Sequence, residues 1–498
     1  MYRKFNLFIL LVMLFSLLFP TTGLAKTHIE EEIMYKILVD RYNVGEKEKK
    51  NIQVDDPYTY HGGDLKGIKD NLGIIEGLGF TAITISPIFK NAPNGYHGYW
   101  VEDFFEVNEQ FGTMDDFRSL IEEGKERNIK VVLELVTNYV AKSHPFVQDE
   151  SKSHWFKPVE VETTDSTYYL EDVVVLDQEV PEVREYLLTV VDYWMNETDI
   201  AGFNLHAIEQ MSPHFLTELI DFVNEKDSSF YLFGTIMDKG NTYEHLEEFK
   251  DDILISNDEL FEVLQNSFSE VGNPVSPIYE TWEKAGGKTS YIYVDDEYSK
   301  RFSTLVHNNG RNPSTVWKLA LTYMYITPGV PVVLQGTEVM MAGEGFPDTQ
   351  KLVPYHGGDQ DLDQFMFRLA SLKKEFPALT KGSFEMVGTD GAMSVFKRTY
   401  EGETIFIAIN NDEQLRKVDV SGVEEGKRLR GIVGDNLVVR NDDGTYTLGI
   451  PRETVEVYLI EEDTGLNWGF IAFPAIVFLI FIIAVIYLSY KQKARSRM

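Results

Sequence analysis

The sequence of 498 residues contains no cysteine. Disulfide bonds, thiolate metal sites and cysteine nucleophiles are therefore excluded. Basic residues are also scarce, since 46 lysines and arginines stand against 79 acidic residues and give a formal net charge of −33 at pH 7. A surface this acidic repels anionic polymers, so nucleic acid is not expected as a partner.

Long apolar runs occur near the two ends of the chain. At the N-terminus, Arg3 and Lys4 precede an apolar run over residues 7–19, and the small residue Ala25 follows. This pattern predicts a secretory signal peptide over residues 1–25. The alternative is an uncleaved anchor, but the run is shorter than the ~20 residues that a membrane span needs.

The C-terminal run over residues 468–490 carries no charge. It is long enough to cross ~30 Å of hydrocarbon, and the basic tail over residues 491–498 favours the cytoplasmic side. We therefore expect a single-pass protein of the cell membrane with the bulk of the chain outside and the C-terminus in the cytoplasm. A buried core helix is the alternative.

Between the ends, short β-rich runs alternate with segments of helical period, which is typical of a (β/α)₈ TIM barrel. The alternative is an open doubly wound sheet. The predicted domains are a barrel over residues 26–380, a small insertion at about 139–180 after the third strand, and an antiparallel β domain over 381–462. The eight predicted strands are 33–39, 81–86, 131–136, 200–205, 230–235, 252–256, 304–308 and 331–335.

Several stretches in this order resemble the alpha-amylase family, glycoside hydrolase family thirteen. They include the segment 35–42, the segment 61–68 beginning His-Gly-Gly-Asp, the loop 95–100, the helix start 111–117 and the segment 328–338. The resemblance implies an alpha-glucan substrate and a retaining mechanism, which needs two carboxyl groups about 5 to 5.5 Å apart. The family adds a third carboxylate that helps bind and distort the sugar.

The three carboxylates are missing at the positions that the resemblance assigns to them. On the fourth strand, the family's Gly-Phe-Arg-x-Asp-Ala is replaced by residues 202–207, with Asn204 and His206 at the arginine and nucleophile positions. Thr235 follows Gly234 where the family has its acid/base glutamate, and Gly310 ends the segment predicted to follow the seventh strand. Two nearby acids, Glu209 and Asp238, are interpreted as solvated side chains; replacement of the missing carboxylates is the alternative.

The resemblance also assigns binding residues. His97, Tyr99 and Trp100 would contact a sugar ring, together with Asn204 and Asn309 at the strand ends; packing at the barrel rim is the alternative. Many family members bind calcium, and Asn138 and Asp177 match positions that would supply oxygen ligands. A capping asparagine and a surface aspartate are the alternative for this pair.

Three hypotheses for function follow. The first is a surface protein that binds alpha-glucan or maltooligosaccharide with lost or much reduced hydrolysis. The second is an active alpha-glucan hydrolase or transferase that uses atypical residues. The third is an accessory subunit of a membrane complex, with a protein as its partner.

Overall fold

In this computed structural model the described residues are 29–47, 49, 52–158, 167–354, 358–463, 465 and 468–495. The predicted signal peptide lies outside them. Eight parallel strands form one sheet in which each strand pairs with its neighbour in the chain, and the eighth pairs with the first. The sheet closes into a barrel through a parallel bridge between Ser256 and Tyr291. The predicted (β/α)₈ barrel is thus confirmed.

The barrel strands are β1 (Met34–Ile37), β2 (Ala82–Ile85), β3 (Lys130–Leu135), β4 (Gly202–His206), β5 (Tyr231–Thr235), β6 (Leu254–Ile255), β7 (Ser290–Ile292) and β8 (Gly329–Leu334). Almost every residue of these strands is buried. Parallel strands covered on both faces read as continuous apolar runs, which explains why most were visible in the sequence.

The seventh strand was predicted wrongly. The segment 304–308 belongs to a helix, Phe302–Asn308, and the strand lies earlier, at Ser290–Ile292. Thr304 and Val306 resemble strand residues in composition, but both are buried within this helix. Because of this error, the residues predicted to end the seventh strand do not lie at the carboxyl end of a barrel strand.

The helices surround the barrel. They are α1 (Leu65–Gly77), α2 (Met114–Glu126), α3 (Pro181–Glu197), α4 (Pro213–Lys226), α5 (Asp258–Ser269), α6 (Ser276–Lys284), α7 (Phe302–Asn308), α8 (Pro313–Ile326), α9 (Gln360–Glu375) and α10 (Ala378–Lys381). Capping side chains set the start of two of these helices. Thr113 and Asp116 form a capping box at the N-terminus of α2, and Asp64 caps the N-terminus of α1.

The segment between β3 and β4 contains a small three-stranded sheet of Tyr139–Ala141, Phe156–Lys157 and Val173–Leu176, and a 3₁₀ helix, Tyr168–Asp172. Another pair of short strands, Phe89–Asn91 and Val101–Val107, follows β2. Both segments extend from the carboxyl ends of barrel strands, where binding sites of this fold lie.

The chain after the barrel folds into antiparallel strands. These are β9 (Ser383–Asp390), β10 (Met393–Tyr400), β11 (Glu403–Asn410), β12 (Arg416–Val420), β13 (Lys427–Gly431), β14 (Leu437–Val438), β15 (Tyr446–Ile450) and β16 (Thr454–Glu462). Six form one sheet, and β12 pairs with β15 in a second. Arg398 donates to the carbonyl oxygen of Ile326 at the end of α8, which ties this part to the barrel.

The last described helix, α11 (Trp468–Arg495), contains the apolar stretch Ala472–Gln492. This stretch is long and apolar enough to cross a membrane, and it is not buried against the rest of the protein.

Candidate functional site

The carboxyl ends of β4 and β5 lie side by side at the mouth of the barrel. His206 and Thr235 are the last residues of these strands and are register partners in the parallel pair. The resemblance assigns the nucleophile and the acid/base to these two positions. The side chains around them therefore decide what chemistry the barrel can perform.

His206 is held by hydrogen bonds on both ring nitrogens. Nδ1 lies 2.6 Å from Oε1 of Glu134, and Nε2 lies 2.9 Å from the hydroxyl of Tyr169. A carboxylate only accepts, so Nδ1 carries the proton and Nε2 accepts from Tyr169. Burial raises the pKa of Tyr169, which keeps that hydroxyl protonated as the donor. Neither ring nitrogen is left free to attack a substrate.

Tyrosine rings fill the space above His206. The ring of Tyr99 lies 4.2 Å from the His206 ring, measured between centroids, and the Tyr139 ring meets it edge-on at 5.9 Å. The hydroxyl of Tyr99 is 3.1 Å from that of Tyr298, on the opposite side of the mouth. His206 is 0% exposed. We call the space above His206, where the resemblance would place a sugar ring, the central subsite. It is consequently occupied by the protein's own side chains.

A small cavity remains beside Thr235, lined by Lys36, Glu297 and Tyr298 among others. Its volume is about 20 Å³, which holds about one water molecule. Thr235 itself donates to Oδ1 of Asn204 at 2.9 Å. A threonine hydroxyl engaged in this way is no acid for a glycosidic oxygen.

Of the residues predicted to contact a sugar, His97 and Tyr99 are each 2% exposed, while Trp100 is half-buried. Nδ1 of His97 accepts from the backbone N–H of Tyr99, and burial lowers the pKa of His97 well below its ordinary value. Trp100 donates to the carbonyl oxygen of Tyr169 at 2.8 Å. In this structure these residues pack at the rim of the barrel, and their contact with a sugar stays a prediction.

The predictions for Asn309 and Gly310 are corrected by the position of the seventh strand. Asn309 follows α7 and donates to the carbonyl oxygen of Ser269 at the end of α5, and Gly310 is an exposed left-handed residue. Neither follows a barrel strand. The loop that does follow β7 contains residues 293–298, which sequence reasoning missed although three consecutive acids mark it.

Each acid of this loop is paired with a cation. Asp295 bonds Arg301 at 2.6 Å, Asp296 bonds Lys239 at 2.5 Å, and Glu297 bonds Lys36 at 2.8 Å. Burial opposes ionisation of Asp296, but the Lys239 ammonium holds its pKa below the ordinary value. Oε2 of Glu297 is buried and has no hydrogen-bond partner within the described part of the chain. Glu297 is therefore the acid of this loop with a carboxylate oxygen still available beside the small cavity.

Glu209 also differs from its predicted role as a solvated acid. It is 7% exposed, and its carboxylate accepts from the backbone N–H groups of Met237 and Asp238. Burial raises the pKa of Glu209. Asp238 is half-buried and accepts from the hydroxyl of Tyr243 at 2.7 Å. Two carboxyl groups thus remain near the ends of β4 and β5, outside the positions of the family mechanism.

The residues proposed for calcium do not fit that ion in this structure. Nδ2 of Asn138 donates to the carbonyl oxygens of His206 and Ala207, and its Oδ1 accepts from Nε2 of Gln178 at 3.1 Å. The Gln178 amide nitrogen also donates to the carbonyl oxygen of Thr137, so it occupies the place among these oxygens that a cation would need. Asp177 accepts instead from the N–H of Glu179. Calcium stays a prediction, tested by thermal unfolding with calcium or a chelator.

Comparisons with known proteins agree with this architecture. The family model described as "Alpha amylase, catalytic domain" matches residues 36–174, and "Alpha-amylase C-terminal domain" matches residues 382–458. The first match ends before His206. A cyclomaltodextrinase of Thermoanaerobacter pseudethanolicus is 26% identical over 448 residues, which cover 84% of this chain and 77% of that protein.

Two solved structures are closer in sequence. An alpha-amylase of Anoxybacillus is 36% identical with a TM-score of 0.82, covering 88% of this chain and 99% of that one. An alpha-amylase of Geobacillus thermoleovorans, solved with acarbose, is 34% identical with a TM-score of 0.81 and the same coverage. With this identity over nearly the whole of both partners, the chain belongs to the alpha-amylase family.

Proposed function

We propose that this protein is a membrane-anchored member of the alpha-amylase family that binds alpha-glucan outside the cell without cleaving it by the family's retaining mechanism. The observation that carries the proposal is the position of His206. A retaining enzyme needs a free nucleophile at that place and an acid about 5 to 5.5 Å away. Here both imidazole nitrogens are engaged and the neighbouring residue is a threonine.

The side chains that fill the barrel centre also support binding without cleavage. A sugar ring in the central subsite would have to displace Tyr99 and Tyr169, whose rings lie 4.6 Å apart and are both buried. Displacing them would expose His206 and break the hydrogen bonds of Tyr169 to His206 and of Tyr99 to Tyr298. The free energy of that opening would be subtracted from the affinity for any ligand.

Two further parts of the proposal rest on other observations. Relatives named cyclomaltodextrinase and alpha-amylase support alpha-glucan as the ligand class. The unburied apolar stretch Ala472–Gln492, followed by a basic tail, supports an anchor with the barrel outside.

A second candidate function is an alpha-glucan hydrolase that uses atypical acids. The names of the relatives favour it, and so do two carboxyl groups at the barrel mouth. Glu297 keeps an unpaired carboxylate oxygen beside the small cavity, and Glu209 is a buried carboxyl group whose pKa is raised by burial.

An assay for released reducing ends separates the two candidates. The full chain, purified in detergent, is incubated with maltoheptaose or soluble starch at pH 5 to 8, beside an active alpha-amylase as positive control. We expect no product above the blank. Product that disappears in the Glu297→Gln, Glu209→Gln or His206→Ala variant would overturn the proposal and establish the second candidate.

A further inference from the structure

Three aromatic side chains from different loops meet at the mouth of the barrel. Tyr58, which is 50% exposed, lies 5.9 Å from Phe346 and 6.4 Å from Tyr168 between ring centroids. The rings of Tyr168 and Phe346 stack at 4.3 Å with an interplanar angle of 25°. We call Tyr58, Tyr168 and Phe346 the rim cluster.

The rim cluster is fixed to the filled centre beneath it. The Tyr168 hydroxyl donates to that of Tyr96 at 2.9 Å, and the backbone N–H of Phe346 donates to the carbonyl oxygen of Tyr298. The Tyr168 ring also meets His97 edge-on at 5.6 Å. The loops are thereby held in one arrangement, so a ligand on the rim cluster would lose little affinity to loop ordering.

The chemistry of this surface selects an uncharged ligand with apolar faces and hydroxyl groups. Aromatic rings offer apolar area with polar edges, and Asp56, which accepts from the N–H of Tyr58, is a hydrogen-bond acceptor at the same place. The net charge of −33 disfavours anionic polymers. A neutral glucan meets these conditions, because its sugar rings have apolar faces and its hydroxyls can donate to carboxylates.

We propose that the rim cluster is the alpha-glucan site of this protein, and that the glucan chain lies across the closed mouth without entering it. This inference rests on the proposed function and adds the position of the ligand. It explains how glucan recognition is compatible with a central cavity that holds about one water molecule.

The test compares matched aromatic substitutions in the full chain. Tyr58→Ala removes the exposed ring, and Tyr58→Phe keeps it. Phe367→Ala is the control, because Phe367 is 51% exposed but lies on α9 beside Gly79, which precedes β2 at the other end of the barrel. Binding of maltoheptaose is measured by calorimetry in detergent, with circular dichroism to verify folding.

We expect Tyr58→Ala to raise the dissociation constant for maltoheptaose about tenfold, which corresponds to about 1.4 kcal/mol of binding free energy. Tyr58→Phe and Phe367→Ala should each change it less than about twofold. If the wild type binds and Tyr58→Ala and Phe346→Ala bind equally well, the rim cluster is not the site although the proposed function stands. If the folded wild type does not bind maltoheptaose, the glucan-binding part of the proposed function fails and this inference fails with it.

Discussion

The hydrogen bond between Tyr169 and His206 gives a sharp test of whether the barrel centre is closed. Tyr169→Phe removes one hydroxyl and keeps the ring against Tyr99. Nε2 of His206, which is 0% exposed and accepts from Tyr169 at 2.9 Å, then lacks a donor. Leaving a buried acceptor unsatisfied costs about 1–3 kcal/mol. We expect the free energy of unfolding to fall by this amount.

The measurement is a urea titration of the full chain in detergent, followed by tryptophan fluorescence. Tyr325→Phe is the matched control, since Tyr325 is 2% exposed and its hydroxyl has no hydrogen-bond partner among the described residues. By the same principle, removing this unpaired hydroxyl should leave the free energy of unfolding unchanged or raise it. A Tyr169→Phe variant as stable as this control would mean that water replaces the lost hydroxyl, and the reasoning for a closed centre would be refuted.

Glu134→Gln extends the test to the other side of the imidazole. Glutamine can still accept from Nδ1 but without the charge, and charge-assisted hydrogen bonds are roughly twice as strong as neutral ones. Because Glu134 and Tyr169 share His206, the double variant should deviate from the sum of the two single effects by about 0.5–3 kcal/mol. Strict additivity would show that the two bonds do not act through one ring.

Three other predictions follow from the structure. Restoring carboxylates with His206→Asp and Thr235→Glu should produce no measurable reducing ends from starch, because the tyrosines still fill the subsite; clear activity would show that the centre opens readily. Burial lowers the pKa of Lys373 to about 7, against about 10.4 in the unfolded chain. The unfolded chain therefore binds more protons between these values, and the stability of the wild type relative to Lys373→Met should rise with pH by up to about 1.4 kcal/mol per unit; a pH-independent difference would contradict this. Finally, the proposed membrane anchor at α11 would keep the end of β16 within about 20 Å of the bilayer, since five residues separate Glu462 from Trp468. In this cysteine-free chain, a fluorophore on Glu401→Cys, in the turn beside that end, should be quenched by lipid-bound quenchers more strongly than one on Asn94→Cys in a loop at the barrel mouth; equal quenching would refute this orientation.

Most of the barrel could be predicted from sequence because its strands are buried on both faces. β7 could not, because the nearby run 304–308 has the composition of a strand although it belongs to the helix α7. In the C-terminal part, the apolar pattern predicts an antiparallel β domain over 381–462 but not where its strands turn. The run 385–397 spans a hairpin of β9 and β10, turned at Gly391 with a φ of 56°.

The candidate site was predictable in part for a different reason. The sequence placed His206 and Thr235 at adjacent strand ends, because strand order fixes those positions. It could not predict that Tyr169, from the insertion before β4, reaches the His206 ring, or that Glu134 lies 2.6 Å from it. The contact of Tyr169 depends on how the insertion packs over the barrel, and that of Glu134 depends on the register between β3 and β4; residue spacing encodes neither.

The contacts of His206 also show how the charged groups at the barrel centre are stabilised. A carboxylate that is buried and unpaired destabilises a protein by several kcal/mol, and active sites carry that cost because substrate or water can reach the charge. Here Glu134 is paired with His206, and Glu297 is paired with Lys36. The barrel centre is thus stabilised as an ordinary core, and reopening it would cost the interactions that now hold it. A binding function that leaves the centre closed must therefore use the outer surface of the loops, where the rim cluster lies.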